Sequence, residues 1–324
     1  MKRHGIIVRP SSGLGAAFNP GAAHIDGRFY LLARSVPKGY QKIGNVNEFD
    51  DNYNSHLSLW SGTSPKQFEL VRENALMPDA PFDKYGVEDP RICKLGDTYY
   101  VLYTSIAIGL GQPDAHKGIR IALASTKDFK TFKKHGVIGP DRRSKAGTLF
   151  SAGGKAYFMW KDEQDVERTM ITPAPTDIEN PKAWSKMWKA RDIEQDVLLA
   201  PQNNAHENFG VEPGAPPIEI DAGLLTVYSS ISRDNHWTIS LMLLDKNDPR
   251  KIISKTNGPV LSPLRKYERE GDVPNVVFPC GALIHDKRLY VYYGAADTVC
   301  AVASMSLTSV KKALKPNAPP APRP

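Results

Sequence analysis

The chain has 324 residues, 41% hydrophobic and 24% charged, which is the balance of a globular protein large enough to bury a core, and it excludes wholesale disorder. Its net charge of +7 comes from Lys and Arg dispersed along the chain; the densest cluster, Lys127 to Lys134, is interrupted by Asp128. No reading-helix motif or zinc-finger spacing accompanies that charge, so nucleic acid is not an expected partner. Three cysteines, Cys93, Cys280 and Cys300, leave no Cys-x-x-Cys pair and point away from a disulfide framework or a zinc site.

At the start of the chain the apolar run Ile6 to Val8 is too short for a signal peptide. No later run reaches the roughly 20 apolar residues of a membrane span. The expectation is a soluble cytoplasmic protein with no membrane partner.

Five segments then repeat one pattern, a tight turn followed by an aromatic-rich strand. They begin at Gly27, Gly96, Gly154, Gly223 and Asp286, in steps of 69, 58, 69 and 63 residues. Aromatic and β-branched residues after a turn signal favour strand. Six to ten residues before each turn lies a partner: Asn19-Pro20-Gly21-Ala22, Glu88-Asp89-Pro90-Arg91, Thr148-Leu149-Phe150, Pro213-Gly214-Ala215-Pro216-Pro217 and Phe278-Pro279-Cys280-Gly281-Ala282. Further strands follow each turn, at His56 to Trp60, Gly118 to Ala124, Arg168 to Thr172, Trp237 to Leu244 and Val299 to Met305.

A unit of three or four antiparallel strands repeated five times predicts an all-β fold, a five-bladed β-propeller over residues 1–314. An irregular β-sandwich is the alternative; the regular order of the repeat favours the propeller. One short helix is expected over Asn180 to Ala190. Residues 315–324 read as a proline-rich disordered tail.

In a propeller the upstream elements converge at one mouth of the central channel, where a site is expected. Glu88-Asp89-Pro90-Arg91 is the strongest local candidate. Strand alternation predicts that Glu88 and Asp89 face opposite ways, one for chemistry and one for an arginine. A structural ion pair is the competing reading. Glu207 and Glu212 open the fourth repeat at the level where Asp89 opens the second. Two carboxylates across a cavity is what a glycosidase requires. There is no nucleophile elbow, Walker loop, dinucleotide fingerprint or His-x-x-x-His spacing. No metal or cofactor is expected.

These motifs make the sequence resemble glycoside hydrolase family 130, the β-mannoside phosphorylases and β-mannosidases. Gly86-Val87-Glu88-Asp89-Pro90-Arg91 and the stretch from Val273 to Ala282 carry the resemblance, which runs from Phe18 to Thr298. It implies a five-bladed propeller and a mannose-containing oligosaccharide as substrate. It further implies Asp89 as proton donor, working through a mannose hydroxyl, with Asn19, Arg34 and Asp297 holding the mannose.

The family divides on the attacking group, phosphate or water. This sequence departs from the phosphorylase pattern in three places. His-Arg becomes Trp160-Lys161, a Lys-Ile-Gly stretch becomes Gly210-Val211-Glu212, and Tyr-His-Gly becomes Tyr228-Ser229-Ser230. A phosphate dianion beside Glu212 would be repelled by about 4 kcal/mol per charge pair at 4 Å and an effective dielectric near 20. The resulting expectation is an inverting hydrolase of the β-1,2-mannosidase branch, with Asp89 as acid, Glu212 as base and Glu207 helping to hold water. Lys161, with Arg142 and Arg143 close in sequence, keeps phosphorolysis as the alternative. A carbohydrate-binding propeller without activity is a second alternative. Homo-oligomerisation stays open.

Overall fold

The computed structural model describes residues 1–38, 53–164 and 166–314, so the expected tail lies outside the described residues. After β1 (Lys2–Val8) the chain builds four blades in order. The first is β2 (Leu14–Ile25), β3 (Arg28–Pro37), β4 (His56–Ser64) and β5 (Gln67–Leu76). The second is β6 (Gly86–Leu95), β7 (Thr98–Ile106), β8 (Ile119–Thr126) and β9 (Lys133–Val137). The third is β10 (Ser144–Ala152), β11 (Lys155–Asp162), β12 (Arg168–Pro173) and β13 (Val197–Leu199).

In the fourth blade the inner strand is split into β14 (Gly210–Pro213) and β15 (Ile218–Ile220). Pro216 and Pro217, which cannot donate to a ladder, lie in the gap. Both pieces pair with β16 (Gly223–Ile231), which is followed by β17 (Trp237–Leu244) and β18 (Ile252–Lys255). The fifth blade is β19 (Val277–His285), β20 (Arg288–Ala295) and β21 (Val299–Ser306), and its outer strand is β1. All these neighbours pair antiparallel. The five-bladed propeller expected from the repeat is therefore what the chain forms. The strand that closes the ring, β1, is an element the repeat did not reveal.

Why the strands are apolar on both faces follows from the packing. The five large hydrophobic clusters each fill the space between two neighbouring blades. Along β7, Tyr99, Val101 and Tyr103 pack with Leu32, Leu57 and Leu59 of the first blade. The alternate residues Tyr100 and Leu102 pack with Leu149, Phe158 and Trp160 of the third. The period of two thus serves two interfaces, and neither side of the strand is left for water. The expected helix forms as α1 (Pro181–Lys189), capped by the Asn180 side chain, which accepts from Lys182 N–H at 3.1 Å. It lays Trp184 and Trp188 over the gap between the second and third blades.

One irregularity recurs at the same level of three inner strands. The ladder register shifts between Phe18 and Gly21, between Glu88 and Arg91, and between Lys145 and Thr148. At each shift a residue adopts the left-handed conformation: Asn19 (φ 50°), Asp89 (φ 49°) and Ala146 (φ 52°). Such bulges re-aim side chains, and Asn and Asp tolerate this conformation better than most residues. Glycine serves the same crowded level. A Cβ on Gly294 would overlap Asn19 Oδ1.

Candidate active site

A cleft opens at the mouth where the inner strands begin. Every blade contributes to its lining. Asn19 and Arg34 come from the first, Asp89 from the second, and Lys145, Lys161 and Glu163 from the third. The fourth gives Glu212 and Trp237, and the fifth gives Phe278 and Asp297. Of the residues singled out in the sequence, Asn19, Arg34, Asp89, Lys161, Glu212 and Asp297 therefore meet in one cavity.

Glu207 does not line it. Its carboxylate accepts from Tyr228 Oη at 2.6 Å, Lys255 Nζ at 2.6 Å and Asn204 Nδ2 at 3.0 Å. Burial works to raise its pKa, and these three partners outweigh it and hold the group below its ordinary value. Glu207 ties a loop to its blade and is not placed to hold water beside a sugar. Arg142 is likewise engaged away from the cleft, on Asp162 at 3.0 Å.

On one wall stands Asp89. Its Oδ1 accepts from Asn19 Nδ2 at 2.8 Å and from Arg34 Nη1 at 3.1 Å. Of the two acids only Asp89 lines the cleft, while Glu88 turns to an arginine, and a bulge between Glu88 and Arg91 sits at this point of the strand. Both carboxylates reach Arg34, Glu88 at 2.9 Å. Glu88 is buried and also accepts from Tyr53 Oη at 2.6 Å and Ser55 Oγ at 2.9 Å, so it anchors the arginine from behind. Burial pushes the Asp89 pKa up, but Arg34, Arg91, the Asn19 bond and Lys145 together hold it below the ordinary value. These partners favour Asp89 as a carboxylate. A sugar that completes its burial strengthens the opposing, proton-retaining effect.

Across the cleft Lys161 is 1% exposed and touches three carboxylates. Its Nζ lies 2.6 Å from Glu212, 2.8 Å from Glu167 and 2.9 Å from Glu163. Burial disfavours its charge, yet these neighbours hold its pKa well above the usual lysine value. Glu163 also pairs with Arg143 at 2.7 Å and Lys145 at 3.8 Å. Burial opposes its ionisation, and Lys145, Lys161 and Arg143 still hold its pKa far below the carboxylate range. Glu212 differs. Burial raises its pKa, and Lys161 with Arg91 at 3.6 Å offsets this only in part. A carboxylate with a raised pKa is suited to take a proton near neutral pH.

Arg91 joins the two walls. It donates to the carbonyls of Asp89 at 2.8 Å, Pro213 at 3.1 Å and Gly214 at 3.1 Å. This buried arginine explains why the Glu-Asp-Pro-Arg run is a unit. Glu88 fixes Arg34, Asp89 faces the cleft, and Arg91 sets the distance to the Glu212 strand.

The sequence reading missed Glu163, Lys145 and Trp237. Glu163 lies two residues after Lys161, which is the same-face spacing of a strand. Lys145 sits at the bulge of the third repeat, the level of Asn19 and Asp89. The Glu163 spacing was legible; the bulge at Lys145 was not, and nothing in the repeat marks Trp237.

Comparison with known proteins gives the family. The family model described as Glyco_hydro_130, beta-1,4-mannooligosaccharide phosphorylase, matches residues 7–315. The chain belongs to glycoside hydrolase family 130. A 1,2-beta-oligomannan phosphorylase of Thermoanaerobacter sp. strain X514 is 30% identical over 91% of this chain and 92% of its own. A beta-1,2-mannobiose phosphorylase from the same strain is 30% identical over the same shares. Among solved structures, the beta-1,2-mannobiose phosphorylase of Listeria innocua in complex with beta-1,2-mannobiose shares the fold. Its TM-score is 0.78 at 24% identity, covering 97% of this chain and 98% of that one. A structure reported with the family 130 glycoside hydrolases that target beta-1,2 mannosidic linkages in Candida mannan has a TM-score of 0.75. It is 20% identical, covering 97% of this chain and 96% of that one. Family 130 membership makes the protein an enzyme acting on β-mannosides. The two sequence relatives are named as phosphorylases, so resemblance to the hydrolase branch is not established by them.

Proposed function

We propose that this family 130 enzyme cleaves β-1,2-linked manno-oligosaccharides by inversion, with Asp89 as proton donor and water as the attacking group. The observation that carries this reading is the state of Lys161, whose charge is already shared by Glu163, Glu167 and Glu212. A phosphate dianion could reach that lysine only by displacing a carboxylate. The simpler argument, bare repulsion between phosphate and Glu212, loses force because Lys161 lies against Glu212. Occupancy of the cation replaces it.

In this scheme a mannose ring lies between the walls. Its hydroxyls meet Arg34, Asp297 and Asn19, whose buried Oδ1 accepts no hydrogen bond from the described residues. Asp89 passes a proton through a mannose hydroxyl to the glycosidic oxygen as the C1–O bond breaks. Water attacks C1 from the other side, and Glu212 takes its proton. The products are mannose and a chain shortened by one unit.

Phosphorolysis is the second reading, and the named sequence relatives weigh on its side. Lys145, Lys161 and Arg143 are the side chains that would receive phosphate. The test is incubation with β-1,2-mannobiose with and without inorganic phosphate. Hydrolysis predicts mannose as product in phosphate-free buffer. Mannose 1-phosphate, with no turnover when phosphate is absent, would replace hydrolysis by phosphorolysis. Glu212→Gln is expected to lose about 10³-fold in kcat with the native circular dichroism kept, the range of a general base.

A further inference from the structure

A second cleft, with about 770 Å³ of empty space, lies beside the catalytic one and is not used by the chemistry above. Its lining includes His206, Ser232, His236, Ser262 and Asn275. The turn after β16, the start of β17 and the segments that precede β14 and β19 bring these residues together, at the same mouth as the catalytic cavity. Trp237 stands between the two clefts. It lines the catalytic cavity, while its chain neighbours His236 and Thr238 line the second. Likewise Val276 faces the first and Asn275 the second. The two clefts share one wall, closed by the bond from Trp237 N–H to the Asn275 carbonyl at 3.1 Å.

That wall is fixed. Trp237 Nε1 donates to Asn235 Oδ1 at 2.9 Å, and its ring meets Phe278 edge-on at 5.4 Å between centroids. The opposite side is fixed by the loop that Glu207 anchors. Asn204 Oδ1 accepts from His206 N–H at 3.0 Å and Glu207 N–H at 2.9 Å, while the Glu207 carboxylate holds Tyr228, Lys255 and Asn204. His206 is thereby presented to the cleft on a rigid support. Its imidazole and the Asn275 amide each offer a donor and an acceptor, and no side-chain hydrogen bond to either is found among the described residues. A donor–acceptor pair on each side of the cleft is the chemistry that recognises a pyranose ring with neighbouring hydroxyls.

We propose that this second cleft is a subsite for a further sugar unit of the substrate chain, so that the enzyme favours β-mannoside chains of three or more units over the disaccharide. The proposal rests on the β-mannoside reading of the catalytic cleft. It also gives Glu207 a role as a positioning residue for His206.

The experiment compares β-1,2-linked mannobiose, mannotriose and mannotetraose. Wild-type kcat/KM is expected to rise about tenfold from the disaccharide to the longer chains, the worth of one or two hydrogen bonds. In His206→Ala, and separately in His236→Ala, the ratio of long-chain to disaccharide kcat/KM is expected to fall toward one. Equal kcat/KM for all lengths in the wild type, or an unchanged ratio in both variants, overturns the proposal. Calorimetry on Asp89→Asn tests the same point without turnover. Tetraose binding about tenfold tighter than biose supports the subsite, and equal binding overturns it. Failure to cleave any β-mannoside, with that length-dependent binding intact, would sink the proposed function and leave the subsite standing.

Discussion

Replacing Lys161 by methionine removes a buried cation that three carboxylates share while leaving a side chain of similar length. At 2.6 to 2.9 Å each contact is worth about 6 kcal/mol of gross Coulomb attraction at an effective dielectric near 20. Desolvation of the ions cancels much of that, and breaking one partner out of a buried pair costs about 3–5 kcal/mol net. For a domain of this size that is roughly 4–7 °C in Tm. The sign with pH follows from the carboxylates left behind. Glu163 keeps Arg143 and Lys145, but Glu212 keeps only Arg91 at 3.6 Å and its already raised pKa rises further. Protonating Glu212 relieves part of the cost, so the loss is expected to be larger at pH 8 than at pH 5. Chemical and thermal unfolding at the two pH values measures this. A loss below about 1 kcal/mol at pH 8, or a loss equal at both pH values, would show that Lys161 is not the hub of this wall.

Gly294→Ala is expected to cut kcat about 10- to 100-fold with the propeller intact, because the new methyl group would overlap Asn19 Oδ1 and push Asn19 off Asp89; unchanged kcat would detach Asn19 from the donor. Glu88→Gln weakens the anchor behind Arg34 and is expected to cost about 2–3 kcal/mol of stability, read by urea unfolding; a cost within 0.5 kcal/mol would count against that anchoring. Asp89 has a depressed folded pKa, so its contribution to stability is present above the ordinary carboxylate value and is lost as pH falls through the folded one. Asp89→Asn is therefore expected to lower Tm at pH 7, with the gap to wild type closing at lower pH; a gap that widens on acidification would contradict the direction of that shift.

The repeat of turn and aromatic strand was legible because both faces of each middle strand are buried between blades. That doubles the apolar signal, as Tyr99 to Tyr103 shows. Helix α1 was legible from Asn180 at its cap and Pro181 at its first turn. Strand β1 was not, since Lys2 to Val8 pairs with residues almost 300 positions away and carries no copy of the repeat. The site divided in the same way. Asp89 and Glu212 open the second and fourth repeats at one level, so finding one pointed to the other, whereas Asn19, Arg34 and Asp297 came from the family resemblance. Glu207 stands close to Glu212 in sequence but in a loop, where the strand argument has no hold. The division of Glu88 and Asp89 between an arginine and the cleft was legible, but the bulge that lets both carboxylates reach Arg34 is invisible to a period of two.

The strand that closes the ring has a consequence for when the enzyme becomes an enzyme. β1 lies against β21, Ala17 N–H reaches the Thr298 carbonyl at 3.0 Å, and Asn19 sits over Gly294. The first blade of the catalytic cleft is thus held in place by the last one made. During synthesis Asp89 and Glu212 can be housed in finished blades while Gly294, against which Asn19 packs, is still unmade. Such late, long-range pairing is the slow kind of folding step. Recovery of activity after refolding should follow the docking of the two chain ends and lag behind the appearance of β-structure.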